Sequence, residues 1–484
     1  MFSLSKENSE FKTVVFDVIR IFFGEYKWED LEKNEHHEIK IIHHNNILRI
    51  ELENYKIEEE LEDLSDNNIK RVIKKLLYKL IKENYVDMSD SWGILTGIRP
   101  TKIVHRMIDQ GIKDERILKY LKEEYLLKES KAKLLLEITK KQRSYFLTKE
   151  DSYKKVAIYI SIPFCPSICS YCTFGSYLLS KYNKLLETYL GNLNHELESV
   201  LKNLSENAFI VDKIYFGGGT PSILSVPELE RIFSTIRTYI SLENIVEFSF
   251  EAGRPDTIDL EKLQFLKRNG VSRISINPQI MKDSVLKKLG RKHLTEDIRR
   301  SYNEGRKIGF DVINMDLILG IEDSYQEFTD SLDEVIKLNP ENITIHSLAF
   351  KRKSAMKIDE KKLHAPNQSE HFEQSILKLR DAGYEPYYLY KQKLTVGGQE
   401  NIGFAKDAKY SPYNIQMIEE RQVILGFGVG ASSKLINQED LTLENVFNPK
   451  DLYYYNDKIE EVIKKKIDYL DKISKEYEYG NQKA

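Results

Sequence analysis

Six β-branched or aromatic runs punctuate the middle of the chain: Ala157–Ile162, Asp212–Phe216, Val246–Phe250, Val271–Ile276, Asp311–Ile318 and Asn342–His346. Between them apolar residues recur three and four apart, over Lys181–Leu201, Pro227–Tyr239, Thr257–Asn269, Leu294–Ile308 and Ser324–Leu338. The same spacing returns after the sixth run, over Ser369–Ala382. It predicts strands for the runs and helices for the intervals. Pro227 and Ser324 read as helix starts, Gly270 and Gly309 as stops. Six consecutive βα units imply a parallel sheet with right-handed crossovers, either open or curled into a partial barrel. In both cases residues just after each strand meet at one carboxyl-terminal rim, where such folds bind ligands.

The flanks follow other patterns. His37–Ile42 and Ile47–Leu52 read as a hairpin, followed by helical spacing over Asn67–Glu83, Lys102–Gln110, Asp114–Glu124 and Glu129–Leu147. The histidine pairs His36-His37 and His43-His44 read as polar hairpin ends, because nothing nearby completes a metal site. Beyond about residue 385 strands and glycines take over, with a tyrosine-rich stretch (Tyr384, Tyr387, Tyr388, Tyr390) and Gly426-Phe-Gly-Val-Gly430. The expected organisation is an α/β domain over 1–150, a βα domain over 151–383 and a small α+β domain over 384–484.

Composition narrows the class without naming an activity. With 484 residues, 41% hydrophobic, 31% charged and a net charge of −3, the chain is an ordinary globular protein with no electrostatic drive toward nucleic acid. No apolar run approaches the ~18 residues of a membrane span. The apolar stretch Thr13–Phe23 is broken by Asp17 and Arg20, a poor signal peptide.

Chemistry enters with the cysteines. All three lie in Cys165-Pro-Ser-Ile-Cys169-Ser-Tyr-Cys172, directly after the first strand. Thiolates are the usual ligands of iron–sulfur clusters, and three of them leave one iron of a four-iron cluster open to bind and activate a small molecule. An odd count in a long chain disfavours a disulfide framework, and a zinc site needs a fourth ligand, the nearest downstream histidine being the distant His195. A cluster held by thiolates calls for a reducing compartment, so a cytoplasmic location is expected.

The other strand ends complete the set. Gly217-Gly-Gly-Thr-Pro221 follows the second strand, Glu251 ends the third, Asn277-Pro-Gln279 and Arg291 follow the fourth, and Asp316 and Ile318 lie on the fifth. C-x₃-C-x₂-C after strand one with G-G-G-T-P after strand two resembles the radical S-adenosylmethionine superfamily. Tyr159-Ile-Ser-Ile-Pro-Phe-Cys165 and Tyr215-Phe-Gly-Gly-Gly-Thr-Pro221 are similar to the oxygen-independent coproporphyrinogen III oxidase group. Thr96-Gly-Ile-Arg-Pro100, Tyr388-Leu-Tyr-Lys-Gln392, Asn401-Ile-Gly-Phe404 and Gly428-Val-Gly-Ala-Ser-Ser-Lys434 resemble its long HemZ-type branch.

The resemblance implies a partial (βα)6 TIM-like barrel carrying a [4Fe–4S] cluster on Cys165, Cys169 and Cys172. It also implies S-adenosylmethionine beside Tyr159, Gly218, Gly219, Thr220, Glu251, Gln279, Arg291, Asp316 and Ile318. The implied reaction is anaerobic: a 5′-deoxyadenosyl radical takes hydrogen from a propionate of coproporphyrinogen III, and loss of CO₂ and one electron leaves a vinyl group. Performed twice, this gives protoporphyrinogen IX, with a low-potential donor such as flavodoxin or ferredoxin supplying electrons. A tetrapyrrole with four propionates wants cations, for which Arg254, Lys351, Arg352, Lys353 and Lys434 are the candidates, in part on a terminal domain that covers the substrate. Two departures keep other readings open. Phe174 stands where the decarboxylating branch has a further cysteine, as in a haem-chaperone branch, and Gly320-Ile-Glu-Asp323 replaces the usual Gly-Leu-Pro-Gly. A haem chaperone and a radical haem methyltransferase are the alternatives.

Overall fold

The computed structural model describes residues 2–23, 37–86, 91–97, 99–322, 324–349, 368–392 and 395–481. Lys351, Arg352, Lys353 and His36 lie outside them. Contacts divide the chain into two compact units. One is Met1–Lys140 with Ile358–Gln374 and Leu389–Asn401; the other is Lys141–Lys357 with Ser375–Tyr388 and Ile402–Ala484.

In the larger unit the runs form strands β1 (Lys155–Ile162), β2 (Ile210–Gly218), β3 (Glu247–Glu251), β4 (Arg273–Ser275), β5 (Val312–Leu319) and β6 (Asn342–Ser347). They lie side by side in that order, each neighbouring pair parallel. The crossovers are α1 (Leu186–Glu206), α2 (Val226–Tyr239), α3 (Leu260–Arg268), α4 (Thr295–Ile308) and α5 (Tyr325–Leu338), and α6 (Gln368–Asp381) follows β6. Local chemistry sets their ends. Ser225 and Glu228 form a capping box on α2, and Ser324 caps α5 through Glu327 N. Gly309 ends α4 in the left-handed conformation at φ 86°.

The sheet continues on both sides. β7 (Glu385–Tyr390) and β8 (Asn401–Ala405) extend it past β6, with β8 antiparallel to β6. On the other flank β9 (Val423–Phe427) runs parallel to β1, followed by antiparallel β10 (Ser432–Ile436) and β11 (Leu443–Phe447). The result is an open eleven-stranded sheet in which the six parallel strands of the expected partial barrel form the centre.

Strand parity gives the sheet two unlike faces. Ile214, Phe216, Phe248, Phe250, Ile274, Ile313 and Ile345 are buried apolar residues. Phe233 of α2 stacks on Phe216 and Phe248 with centroids 5.2 and 5.4 Å apart, and Phe265 of α3 meets Phe233 edge-on. Gly305 brings α4 so close that an added Cβ would stand 3.2 Å from Ile274 and Ile313. The alternate positions carry Tyr159, Tyr215, Glu251, Asn314, Asp316, Thr344 and His346. That second face is polar and holds the candidate chemistry.

In the smaller unit the hairpin forms as His37–His44 and Ile47–Leu52, within a four-stranded sheet completed by Phe2–Leu4 and Tyr55–Glu60. Helices Lys12–Phe23 and Asp66–Asn84 share its apolar core. His43 and His44 are exposed, and His37 bonds Glu53. Among the described residues no helix is long and apolar enough to cross a membrane.

At Gly403 on β8, opposite Thr344, a Cβ would overlap the ring of Tyr388. Overpacking of this kind costs about 1–3 kcal/mol. Gly403→Ala should therefore lower Tm by several degrees in calorimetry. Gly111→Ala, where nothing lies within 4 Å of the added Cβ, should show only the smaller penalty of a left-handed alanine.

Candidate functional site

The cysteine loop leaves β1 through Pro163 and buried Phe164. It closes on itself: Phe164 and Cys165 pair with Tyr177 and Leu178, and Tyr177 N donates to Pro163 O at 2.7 Å. Within it Cys172 N donates to Cys169 O at 3.0 Å. Its neighbours grip it with polar contacts. Thr220 Oγ1 donates to Cys165 Sγ at 3.3 Å, Ser170 N to Leu289 O at 3.1 Å and Ser167 Oγ to Gly290 O at 2.6 Å. Arg254 reaches Ser167 O at 3.2 Å, Ser167 Oγ at 2.9 Å and Cys169 Sγ at 3.7 Å.

Cys165 and Cys169 are buried and Cys172 is partly exposed. Burial pushes the Cys165 thiol up, opposed by hydrogen bonds from Thr220 and Ser176 and by the Arg254 charge, while Cys169 adds to the rise. Cys172 is also raised, first by burial and further by Cys165 and Cys169.

Behind the loop runs a polar chain in which Arg254, Arg291 and His293 are buried and the Asp256 side chain is partly exposed. Asp256 accepts from Arg254 Nε at 3.2 Å and Nη2 at 3.1 Å, and its Oδ1 lies 3.2 Å from His293 Nδ1. His293 Nε2 is 3.5 Å from Arg291, which donates to Asn277 O at 2.7 Å and Tyr171 OH at 3.2 Å. Burial resists ionisation of Asp256, but hydrogen bonds from His293 and Arg254 win and hold it well below the usual carboxylate range.

The polar face lies beside this loop. A Cβ on Gly217 would come within 3.1 Å of both Tyr159 and Glu251 Oε1, and one on Gly219 within 3.0 Å of Cys165 Sγ. Only bare backbone links the two places this tightly. Tyr215 OH donates to Glu251 Oε1 at 2.8 Å, and the Tyr159, Tyr215 and Tyr413 rings stack at 6.0 and 4.6 Å. Burial raises Glu251 to about 7, against the Tyr215 hydrogen bond. Asp316 goes the other way: burial resists, but His346, Asn314 and Thr344 keep it ionised and lowered. Gln279 adopts φ 65°; its N–H donates to Asp316 O at 2.8 Å, and Ile318 N donates to Gln279 O at 2.9 Å. That exchange binds Gln279, Asp316 and Ile318 into one rim.

These residues suit the implied cofactors. Among the described residues no three His, Cys, Asp or Glu side chains are arranged to hold a single ion. A four-iron cluster makes a different demand, since each thiolate meets its own iron. Gln279 Oε1 and Asn277 Oδ1 are buried without a hydrogen-bond partner, two acceptors facing the needs of an amino-acid ligand with an ammonium group. The glycines leave room for backbone contact.

The structure therefore brings Cys165, Cys169, Cys172, Gly218, Gly219, Thr220 and Arg291 around the loop, and Tyr159, Glu251, Gln279, Asp316 and Ile318 along the adjoining rim. Arg254 sits at the loop, using its guanidinium there. Lys434 donates to Met417 O at 2.8 Å and pairs with Glu420 at 3.3 Å, within the β9–β10 edge. Glu322 of the unusual turn accepts from Gly320 N at 2.8 Å, closing it by side chain. Sequence reasoning missed Tyr171, Asp256, His293 and His346. Of these, only His346 carried a usable signal, as the last residue of the sixth β-branched run.

Comparison with known proteins follows the same lines. The radical SAM superfamily model matches residues 159–335. The oxygen-independent coproporphyrinogen-III oxidase-like protein HemZ of Bacillus subtilis (strain 168) is 37% identical over 422 residues, 85% of this chain and 84% of that protein. Heme chaperone HemW of the same organism is 30% identical over 280 residues, 56% of this chain and 69% of HemW. Among solved structures, coproporphyrinogen III oxidase (HemN) from Escherichia coli, a radical SAM enzyme, superimposes with a TM-score of 0.52 at 24% identity, covering 66% of this chain and 72% of that one. This last likeness speaks for the fold.

The Glu251 shift has a stability consequence. In the fold Glu251 holds its proton up to about pH 7, whereas an unfolded glutamate releases it near 4.5. Between those values the folded state binds more protons, so its stability falls as pH rises through the window. Glu251→Gln should raise Tm relative to the parent at pH 8 and leave it nearly unchanged at pH 4.5. Equal effects at both pH values in thermal melts would contradict the assigned ionisation.

Proposed function

The chain belongs to the radical SAM family of oxygen-independent coproporphyrinogen III oxidase-like proteins, and on that premise we propose that it oxidatively decarboxylates coproporphyrinogen III to protoporphyrinogen IX. The family's cofactors, a [4Fe–4S] cluster and S-adenosylmethionine, supply a 5′-deoxyadenosyl radical when bound. In this reading Cys165, Cys169 and Cys172 hold the cluster. Glu251 and the orphaned oxygens of Gln279 and Asn277 receive the ammonium of the cosubstrate, Arg291 its carboxylate, and the Gly217–Gly219 backbone lies against it. The observation that carries the proposal is the adjacency of the three-thiol loop, with Cys165 and Cys169 buried, to a rim of unpartnered acceptors, joined by glycines that leave no room for a side chain.

The chain's own residues have two further tasks. Buried Tyr413 and the half-buried Tyr159 and Tyr215 stack to exclude water from the reacting face. Asp316, kept ionised by His346, offers a fixed negative charge there. With Arg254 and Lys434 engaged elsewhere, Lys351, Arg352 and Lys353 are the cations left to receive propionates. A haem chaperone is the second reading, favoured by Phe174, which is 74% exposed at the position of the decarboxylating branch's extra cysteine.

Anaerobic incubation with coproporphyrinogen III, S-adenosylmethionine and a reductant, read by chromatography, should yield the vinyl product. Cleavage of S-adenosylmethionine with no vinyl product, together with tight haem binding, would give the chaperone reading the case. Changing any one of Cys165, Cys169 or Cys172 to Ala should abolish the cleavage, and a triple variant that kept full iron and sulfide would overturn the ligand assignment.

Arg291→Ala should weaken S-adenosylmethionine binding roughly ten- to hundredfold, since a charged hydrogen bond is worth about 1.5–3 kcal/mol. Iron content should stay near the parent level. Unchanged affinity in equilibrium binding would remove Arg291 from the cosubstrate site.

A further inference from the structure

Arg254 was expected on chemical grounds to meet a propionate, yet all of its guanidinium nitrogens are engaged within the protein. It is 4% exposed. Nη1 donates to Ser167 O at 3.2 Å and points at Cys169 Sγ at 3.7 Å; Nη2 reaches Ser167 Oγ at 2.9 Å and Asp256 Oδ2 at 3.1 Å; Nε reaches Asp256 Oδ1 at 3.2 Å. One face of the fork thus spans the peptide between the first two cysteines. The opposite edge is held in a two-point grip by Asp256, itself backed by His293. A lysine has no such planar fork.

We propose that Arg254 is a positioning residue that sets the reduction potential of the iron–sulfur cluster through its N–H···S contact to Cys169, with Asp256 holding it in place and offsetting part of its charge. The inference rests on the reading that Cys169 is a cluster ligand. Hydrogen bonds to ligand sulfurs, net charge and exposure are the levers by which a protein tunes such a cluster. The relevant couple is [4Fe–4S]²⁺ plus one electron giving [4Fe–4S]⁺. The electron comes from a low-potential one-electron donor, and no bond or proton changes at Arg254. Reduction adds a negative charge. A permanent cation buried beside one sulfur favours that state, in surroundings where charges are poorly screened. Removing the cation therefore makes the cluster harder to reduce, and removing the Asp256 charge makes it easier.

The full-length protein and its Arg254→Gln, Arg254→Lys and Asp256→Asn variants are reconstituted anaerobically with iron and sulfide and assayed for both. Each is then titrated with dithionite and mediators, without S-adenosylmethionine, following the reduced cluster by electron paramagnetic resonance. Arg254→Gln should reduce the equilibrium constant for reduction at least tenfold, about 59 mV toward negative potential for one electron. Arg254→Lys should shift less in the same direction, and Asp256→Asn should shift the opposite way. The opposed signs separate a charge effect from mere loosening of the loop. An unchanged potential in fully loaded Arg254→Gln, or a negative shift in Asp256→Asn, overturns the proposal. If Arg254→Gln takes up no iron, Arg254→Lys and Asp256→Asn decide it, and parental potentials in both overturn it. Failure of the parent protein to load iron is a separate result: it refutes the cysteine reading, and this inference with it.

Discussion

Eight residues carrying three thiols cannot build a core of their own, so the cysteine loop must be held from outside by hydrogen bonds. That constraint organises the catalytic unit. The contacts come from three directions: Thr220 after β2, Arg254 after β3, and Leu289 and Gly290 after the short helix Asp283–Lys288 that follows β4. Thr220 and Arg254 sit just beyond parallel strands, where the chain emerges at one rim, and Leu289 and Gly290 end the short helical excursion that follows the next strand. The sheet thereby fixes the loop by its strand order.

Holding a loop with charges has a cost, because Arg254 and Arg291 are both buried. A buried cation left alone is far more expensive than one that is paired and hydrogen-bonded. Here Asp256 serves Arg254 on one side and His293 on the other, and Arg291 turns to a carbonyl and a tyrosine hydroxyl. A single carboxylate thus serves one buried cation, Arg254, and one buried imidazole, His293, whose pKa burial lowers, and losing it would strand both. This arrangement also explains why Arg254 is poorly suited to a substrate carboxylate: reaching one would require abandoning the loop.

The central strands were legible because each is a short apolar run between Gly- or Pro-marked helices, and the rim residues because parallel strands deliver their last residues to one edge. Cys165, Gly219, Glu251, Gln279 and Asp316 could all be named by position relative to a strand. Other features depend on pairings that leave no local pattern. Asp256 and His293 are 37 residues apart and meet only through tertiary packing. Val423-Ile-Leu-Gly-Phe427 looked like part of a glycine-rich terminal region, yet it pairs in parallel with β1. Gly426 lies close against the backbone of Ser432 there, so the glycine serves strand packing. Helix Asp283–Lys288, at six residues, is too short for periodicity to reveal.

The polar face carries two carboxylates whose environments push them apart, as is common where a site must present both a charge and a proton. Asp316 stays ionised through His346, while Glu251 keeps its proton until about pH 7 because it is buried and its hydroxyl partner Tyr215 carries no charge. Burial without a charged partner therefore favours the uncharged state of Glu251. A cationic ligand placed against it supplies the missing countercharge, favours the carboxylate and releases the proton. Asp316 needs no such change, so it offers attraction from the outset. Cation binding and deprotonation at Glu251 are consequently linked, and the free energy of that linkage comes from the same burial that disfavours a bare carboxylate there.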